Sequence, residues 1–405
     1  LADISLIPEV PDHAYVLLDS DPALAAVEAC GQAGIRCVSV LADGFAEAGA
    51  QGLERQAKLT SIARRHDMLL IGPNSTGVVN TRNGFACTTN AAFAAERLPQ
   101  GRFAVLSQSG SVIGAILSRA AAVGLGFGTY VSLGNEALND VGTLGRIMID
   151  DPETDGIVLF LETLRNRAAF VDFAHAAHAA GKPVLAYLVG RSKAGGALAA
   201  SHTGAMTGGS HALEAFLKAH GVIMVDGFEA LAELSNALPL RRRLAGRPRQ
   251  VTVVTTTGGG GGMVYDRIGL KDIPLAPMSA AAHSAIAANG TVLKQGSLVD
   301  VTLAGTKYDV MKAVMTGLMN DPDCGLIVAA IGSSAQFNPE LAVKPIVDAV
   351  AEAGDNTAPV LAVPIPNAPE SLAMFNAGSV PACRTIEGAA EVVAALMGTQ
   401  SYQPA

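Results

Sequence analysis

Apolar runs of strand length recur along the chain, separated by Ala-rich stretches at helical spacing. The runs are Tyr15–Leu18, Cys37–Leu41, Met68–Ile71, Phe103–Leu106, Ile157–Leu161 and Val184–Leu188, followed by Val251–Thr255, Leu326–Ile331 and Val360–Val363. Each is nearly continuous in hydrophobicity rather than alternating, as a strand covered on both faces must be. Runs of this kind interleaved with helical segments predict parallel sheets with crossover helices, an α/β architecture.

The pattern also repeats. Arg102-Phe-Ala-Val-Leu-Ser-Gln-Ser-Gly-Ser is a strand running into a Gly/Ser turn and a helix, and Gln250-Val-Thr-Val-Val-Thr-Thr-Thr-Gly-Gly does the same further on. Asp151-Pro-Glu-Thr-Asp-Gly-Ile-Val-Leu-Phe is echoed by Asp321-Pro-Asp-Cys-Gly-Leu-Ile-Val-Ala-Ala, and Gly181-Lys-Pro-Val-Leu-Ala by Ala358-Pro-Val-Leu-Ala. These echoes predict two similar α/β domains in tandem, 98–245 and 250–400, after a shorter α/β piece at 1–97. The run Arg241-Arg-Arg-Leu-Ala-Gly-Arg-Pro-Arg249 reads as a solvated connector between them, with an anion site as the alternative.

Composition narrows the function. The 405 residues are 50% apolar and only 16% charged, which suits two or three domains with full cores. A net charge of −8 argues against nucleic acid as a partner, because phosphate backbones are held by clustered Lys and Arg. The mean hydropathy of +0.35 invites a membrane reading. No uninterrupted apolar run reaches the ~18 residues of a spanning helix, however; Ala120 to Asn135, for one, is broken by Gly124, Gly126, Gly128 and Gly134. The start, Leu-Ala-Asp-Ile, has no basic region and no apolar core of an export signal. Five scattered cysteines without metal spacing read as reduced thiols, so the expected compartment is cytoplasmic.

Chemistry concentrates at three places. Ser107-Gln-Ser-Gly-Ser111 follows a strand and opens a helix, so its amides and the positive helix end face whatever sits above the strand. The repeat supplies a second such end at Thr255-Thr-Thr-Gly-Gly-Gly-Gly-Gly262. Five consecutive glycines each cost about 0.5–1 kcal/mol against Ala in regular structure. A tight turn alone does not need so many, whereas close approach of backbone to an anion does. Two such ends at matching places favour phosphate over an ordinary turn. No Gly-Lys-Ser/Thr follows, which excludes a Walker A loop. His202 lies in the small-residue segment Ser201-His-Thr-Gly-Ala-Met-Thr-Gly-Gly209, where nothing bulky would fix it as a core histidine; a merely exposed His is the alternative. His175 and His178, three apart in an Ala-rich helix, lack a third metal ligand and read as structural. Glu162 ends the run Ile157–Leu161, at the carboxyl end of a strand where α/β folds build their sites. It is either a solvated strand-end acid or a carboxylate that accepts an imidazole N–H and fixes the tautomer.

These motifs, taken in order, resemble the NDP-forming acyl-CoA synthetase family. Gly72-Pro-Asn-Ser-Thr-Gly77, the Ser-Gln-Ser-Gly-Ser segment, Ser132-Leu-Gly-Asn-Glu136, Asp151-Pro-Glu-Thr154, Leu-Glu162, Gly181-Lys-Pro183 and Ser201-His-Thr-Gly-Ala205 carry the likeness. It is dense over 8–230 and looser over 250–390. The relatives are ADP-forming acetate–CoA ligase and the succinyl-CoA synthetase α subunit. The resemblance implies a Rossmann-type CoA-binding domain, whose first strand and Gly-rich turn are absent before residue 1, then two flavodoxin-like domains. It implies His202 as the transiently phosphorylated histidine and Glu162 as the acid that orients it. Ser109, Gly110 and Ser111, with Gly258, Gly259 and Gly260, would hold the phosphate, and Pro73, Asn74 and Ser75 would serve coenzyme A. Where the family has Asn-Pro-Val-Asp this chain reads Ser297-Leu-Val-Asp300, and its penta-Gly run is richer than the family's Asn-Ala-Gly-Gly-Pro-Gly.

The implied reaction converts a small carboxylic acid, CoA and ATP to acyl-CoA, ADP and phosphate through an acyl phosphate and a phosphohistidine. No metal site is expected in this chain. ATP or ADP with Mg2+ would come through an ATP-grasp domain or subunit outside it, and an oligomer is expected. The other reading is a non-catalytic CoA- or acyl-CoA-sensing module of an acyltransferase-type fusion, in which the histidine is typically replaced.

Overall fold

The computed structural model describes residues 4, 7–192, 194–195, 210–288, 290–291, 293 and 296–398. The chain forms two compact units, one of Leu1–Ser118, Gly126–Val225 and Gln400–Ala405, the other of Arg119–Leu125 and Asp226–Thr399.

The first unit opens as a βαβαβ half of Rossmann type. Strands β1 (His13–Val16), β2 (Cys37–Val40) and β3 (Leu69–Ile71) lie parallel in that order, with helices α1 (Ser20–Gln32) and α2 (Ala50–Arg65) as crossovers. Val27, Val38, Leu59 and Leu70 are fully shielded in its core. A seven-stranded sheet follows, built from β4 (Gly77–Asn80), β5 (Phe85–Thr88), β6 (Phe103–Ser107), β7 (Thr129–Ser132), β8 (Gly156–Leu161), β9 (Val184–Leu188) and β10 (Ile223–Val225). Its order is β10-β9-β8-β6-β7-β4-β5. The parallel part, β7-β6-β8-β9-β10, is the flavodoxin order 2-1-3-4-5, in which the switch point falls between the first and third strands, here β6 and β8. Helices α3 (Gly110–Ala121), α4 (Val141–Asp150), α5 (Arg167–Ala179) and α6 (Ser210–Ala219) connect its strands. Strands β6 and β8 are buried along their whole length, the burial that their unbroken apolar runs predict.

The second unit holds β11 (Val251–Thr255), β12 (Val299–Asp300), β13 (Leu326–Ile331) and β14 (Val360–Pro364) in the order β12-β11-β13-β14. A parallel bridge from Ala362 to Ala382 stands where the fifth strand would be. The sequence echo is a structural one, down to single hydrogen bonds. Ser107 Oγ accepts the Ser109 N–H at 3.2 Å, and Thr255 Oγ1 accepts the Thr257 N–H at 3.0 Å. Gln108 N–H donates to the Phe160 carbonyl at 3.1 Å, and Thr256 N–H to the Ala330 carbonyl at 3.2 Å. Asp151 and Asp321 each accept the amide two residues on, Glu153 at 2.9 Å and Asp323 at 3.0 Å.

The structure differs from the sequence reading at three places. The segment 77–88, assigned by its position to the 1–97 piece, is a hairpin whose β4 pairs antiparallel with β7 and so extends the second sheet. Residues 226–245, assigned to the 98–245 domain, belong to the second unit, where α7 (Ala230–Ala237) packs on the helix Ile386–Met397. The basic run is not a solvated connector. Arg241–Arg243 lie in α8 (Leu240–Leu244), and Arg247 Nη1 and Nη2 donate to the carbonyls of Cys324 at 2.5 Å and Asn356 at 2.6 Å. Arg241 Nη2 caps the Ala395 carbonyl at 2.5 Å. Guanidinium forks satisfy carbonyls at loop and helix ends, work for which a run of arginines suits as well as it suits solvent.

Candidate functional site

The carboxyl ends of β6 and β8, at the switch point, bring two of the expected groups together. Strand β6 ends in Ser107, whose hydroxyl folds the chain into the turn that opens α3: it accepts from Ser109 N–H and donates to Ser109 O at 2.8 Å. Ser109 and Ser111 place their hydroxyls 3.4 Å apart above the helix end. The Gly110 carbonyl is held by Asn90 Nδ2 at 3.0 Å and Thr76 Oγ1 at 3.3 Å. A Cβ on Gly110 would stand 2.5 Å from the Thr76 methyl, so glycine is required there by contact. The first amides of an α-helix have no internal acceptor and carry the positive end of its dipole, worth about 0.3–1 kcal/mol to an exposed anion and up to ~2 when partly buried. Glu162 follows β8 directly and is partly exposed.

Between the two stands Gln108, a residue that the sequence reading passed over. Its Oε1 accepts the N–H groups of Glu162 at 2.6 Å and Thr163 at 3.0 Å, while Nε2 donates to the Thr163 carbonyl at 2.9 Å and to Glu136 Oε2 at 2.6 Å. The Glu136 side chain is 1% exposed, and its Oε1 accepts the Val141 N–H at 2.6 Å at the start of α4. Arg165 Nε lies 3.8 Å from Oε2. Burial pushes the Glu136 carboxyl up to about 7, against the Gln108 and Val141 hydrogen bonds and the Arg165 charge, with Asp140 adding to the rise. The available signal was an acid inside an almost uncharged stretch; the structure holds it at φ 51°.

The Gly72–Gly77 segment crosses from the first sheet to the second and interlocks with the loop after β7. Asn135 N–H donates to the Pro73 carbonyl at 2.8 Å and Ala137 N–H to the Gly72 carbonyl at 3.0 Å. Gly134, at φ 58°, must be glycine: a Cβ there would fall 2.1 Å from the Pro73 carbonyl oxygen. Ser75 is fully buried and its hydroxyl donates to the Ser132 carbonyl at 2.6 Å, so it braces the crossover. Pro73 is buried as well. Of the three residues expected to serve CoA, only Asn74 is exposed, at φ 58°.

In the second unit, α9 (Gly258–Gly269) begins at Thr257 with the penta-Gly run as its first turn and no side-chain cap. Gly260 and Gly261 are glycine for packing: a Cβ would meet Ile365 at 2.8 Å and the Thr255 methyl at 2.5 Å. Gly259 and Gly262 have nothing within 4 Å of that position. The protein's own atoms do not require glycine at these two exposed helical positions, where Ala is better by about 1 kcal/mol. Gly259→Ala is therefore expected to raise stability by about 1 kcal/mol in denaturant unfolding.

His202 lies outside the described residues, as does the whole Ser201–Gly209 motif. The flanks of that segment are tied together: Arg191, just past β9, donates to Glu214 of α6 from Nε at 2.9 Å and Nη2 at 3.1 Å. Lys218 joins at 2.7 Å, and these cations hold the Glu214 carboxyl below its usual range, Lys218 foremost. Among the described residues no cluster of His, Cys, Asp or Glu could hold a metal ion, and no helix is long and apolar enough to cross a membrane.

A flavodoxin-type sheet with a Ser/Gly helix end beside a strand-end glutamate defines the class, and comparison with known proteins agrees. Residues 100–238 match the succinyl-CoA ligase like flavodoxin domain. The chain is 34% identical over 270 residues to an ADP-forming acetate–CoA ligase I of Archaeoglobus fulgidus, covering 67% of this chain and 38% of that protein. It is 31% identical over 338 residues to a trans-feruloyl-CoA synthase of an unknown prokaryotic organism, covering 81% of this chain and 47% of the relative. The solved structure of the dinucleotide-forming acetyl-coenzyme A synthetase 1 of Ca. Korarchaeum cryptofilum, in complex with phosphate and ADP, matches with a TM-score of 0.83 at 26% identity, over 97% of this chain and 84% of that one. The chain belongs to the NDP-forming acyl-CoA synthetase family. It spans less than half the length of these two curated relatives.

Proposed function

We propose that this chain carries the acyl-phosphate and phosphohistidine steps of an acid–CoA ligase forming ADP. The observation that carries the reading is the meeting of the Ser109–Ser111 helix end with Glu162 at adjoining strand ends of the switch point, joined through Gln108 Oε1 to the Glu162 N–H at 2.6 Å. In the reverse, acyl-CoA-consuming direction, phosphate attacks the acyl-CoA carbonyl and releases CoA, leaving an acyl phosphate whose phosphoryl oxygens face the amides of Gly110 and Ser111. A ring nitrogen of His202 then attacks phosphorus, the P–O bond to the acyl group breaks, and the carboxylic acid leaves as its anion. Glu162 accepts the other ring N–H, which fixes the tautomer and stabilises the positive charge that grows on the imidazole. The phosphoryl group passes from His202 to ADP on an ATP-grasp domain or subunit, which holds Mg2+.

The second helix end, Gly258–Gly260, is a phosphate-binding end of its own unit in this reading, and Asn74 marks the CoA side. The names of relatives span acetate, 4-hydroxybutyrate and ferulate, so the acid is small and carboxylic. A coupled assay of the chain with an ATP-grasp partner subunit, run over those three acids, should show acid- and CoA-dependent ADP formation. Retention of CoA without ADP release for any acid would instead favour a sensing module.

A further inference from the structure

The carboxamide of Gln108 uses all of its hydrogen-bonding capacity. Its oxygen takes two amide protons, from Glu162 and Thr163, and its nitrogen gives one proton to the Thr163 carbonyl and one to Glu136. An amide with both donors and both lone pairs engaged cannot flip without breaking four contacts. Gln108 sits between Ser107 and Ser109 in the phosphate turn, so one side chain locks that turn to the strand end from which Glu162 projects. Glu136 fixes the far side of the amide, and its second oxygen is committed to Val141. The second unit keeps half of this device: Thr256 Oγ1 accepts the Gly332 N–H at 2.8 Å, at the place of Gln108 and Glu162. It has glycine where the first unit has the glutamate and a hydroxyl where the first has the amide.

We infer that Gln108 and the buried Glu136 are positioning residues for Glu162, setting the register between the orienting carboxylate and the phosphate turn. This inference rests on the reading of Glu162 and His202 given above. The longer side chain and its buried anchor occur at the repeat whose strand end carries the acid, while the acid-free repeat holds its turn with a threonine. A small displacement of the Glu162 backbone would misalign the carboxylate with the imidazole, and a misplacement of about 1 Å can cost on the order of a hundredfold in rate.

The test is a double-mutant cycle on single-turnover phosphorylation of the full chain, using acetyl-CoA and feruloyl-CoA with inorganic phosphate as probes. Gln108→Met keeps the volume and removes all four hydrogen bonds; Glu136→Gln keeps the shape but can accept only one of the two N–H groups. Expected is a roughly 100-fold loss for Gln108→Met and roughly tenfold for Glu136→Gln. In a Glu162→Gln background each should cost less than about threefold, because residues acting through one group are not additive. Equal losses in both backgrounds, or no loss in either, overturn the inference while leaving the phosphohistidine reading intact; either variant suffices if the other does not fold. Absence of phosphate at His202 in the unmutated chain removes the reading of function and this inference with it.

Discussion

Glu162→Gln is expected to slow phosphorylation of the chain by about 10²–10³-fold, with phosphate affinity and thermal unfolding little changed. The amide oxygen can accept the ring N–H but carries no charge to balance the one that grows on the ring, and the side chain keeps its volume at a partly exposed strand end. Its backbone N–H stays on Gln108. Rapid-quench measurement of phosphate transfer from acyl-CoA and phosphate checks this. A loss of phosphate binding instead of rate would move Glu162 from an orienting role to a structural one.

Glu233→Gln should have the largest effect on stability. Glu233 in α7 is 3% exposed, its Oε1 accepts the Arg384 N–H at 2.7 Å, and the Cys383 thiol lies beside its carboxyl. Burial pushes its carboxyl up to about 7, and the nearby Glu229 adds to the rise while Arg384 opposes it. The Cys383 thiol beside it is pushed well above its ordinary value by its own complete burial. The native state thus holds a proton on Glu233 that the unfolded chain releases near 4.5. Between those two values the native state binds more protons, so stability falls as pH rises from about 4.5 to 7 and the penalty is complete above it. Glutamine keeps the oxygen that accepts from Arg384 and carries no charge. The variant should match the parent near pH 4 and exceed it by up to about 3 kcal/mol at pH 8, read by denaturant unfolding at the two pH values. A constant difference across that range would show that Glu233 does not titrate there.

Much of the fold was legible because buried parallel strands write themselves as unbroken apolar runs. Every run named from the sequence became a strand, most within a residue or two at either end; Val184–Leu188, Val251–Thr255 and Leu326–Ile331 match to the residue. Strands β7 and β10 escaped because they sit among glycines and loop residues rather than within a longer apolar run. The hairpin β4–β5 escaped because Phe85 and Ala86 are exposed, so its pattern carries no core signal. At the site, Ser109–Ser111 and Glu162 were legible from strand-end position and residue type. Gln108 and Glu136 were not, since their roles are contacts across 28 and 54 residues that no local spacing encodes. Ser75 looked like a ligand because it lies in a motif, yet its hydroxyl is spent on the Ser132 carbonyl. Arg241–Arg249 looked solvated because charge patterns do not reveal which carbonyls lie in reach.

The most direct test of the central claim is mass spectrometry of the intact chain after incubation with acyl-CoA and inorganic phosphate. The account predicts one acid-labile phosphate that maps to the peptide bearing His202 and is absent from His202→Ala. No phosphate on the unmutated chain, or phosphate that persists in His202→Ala, would contradict it.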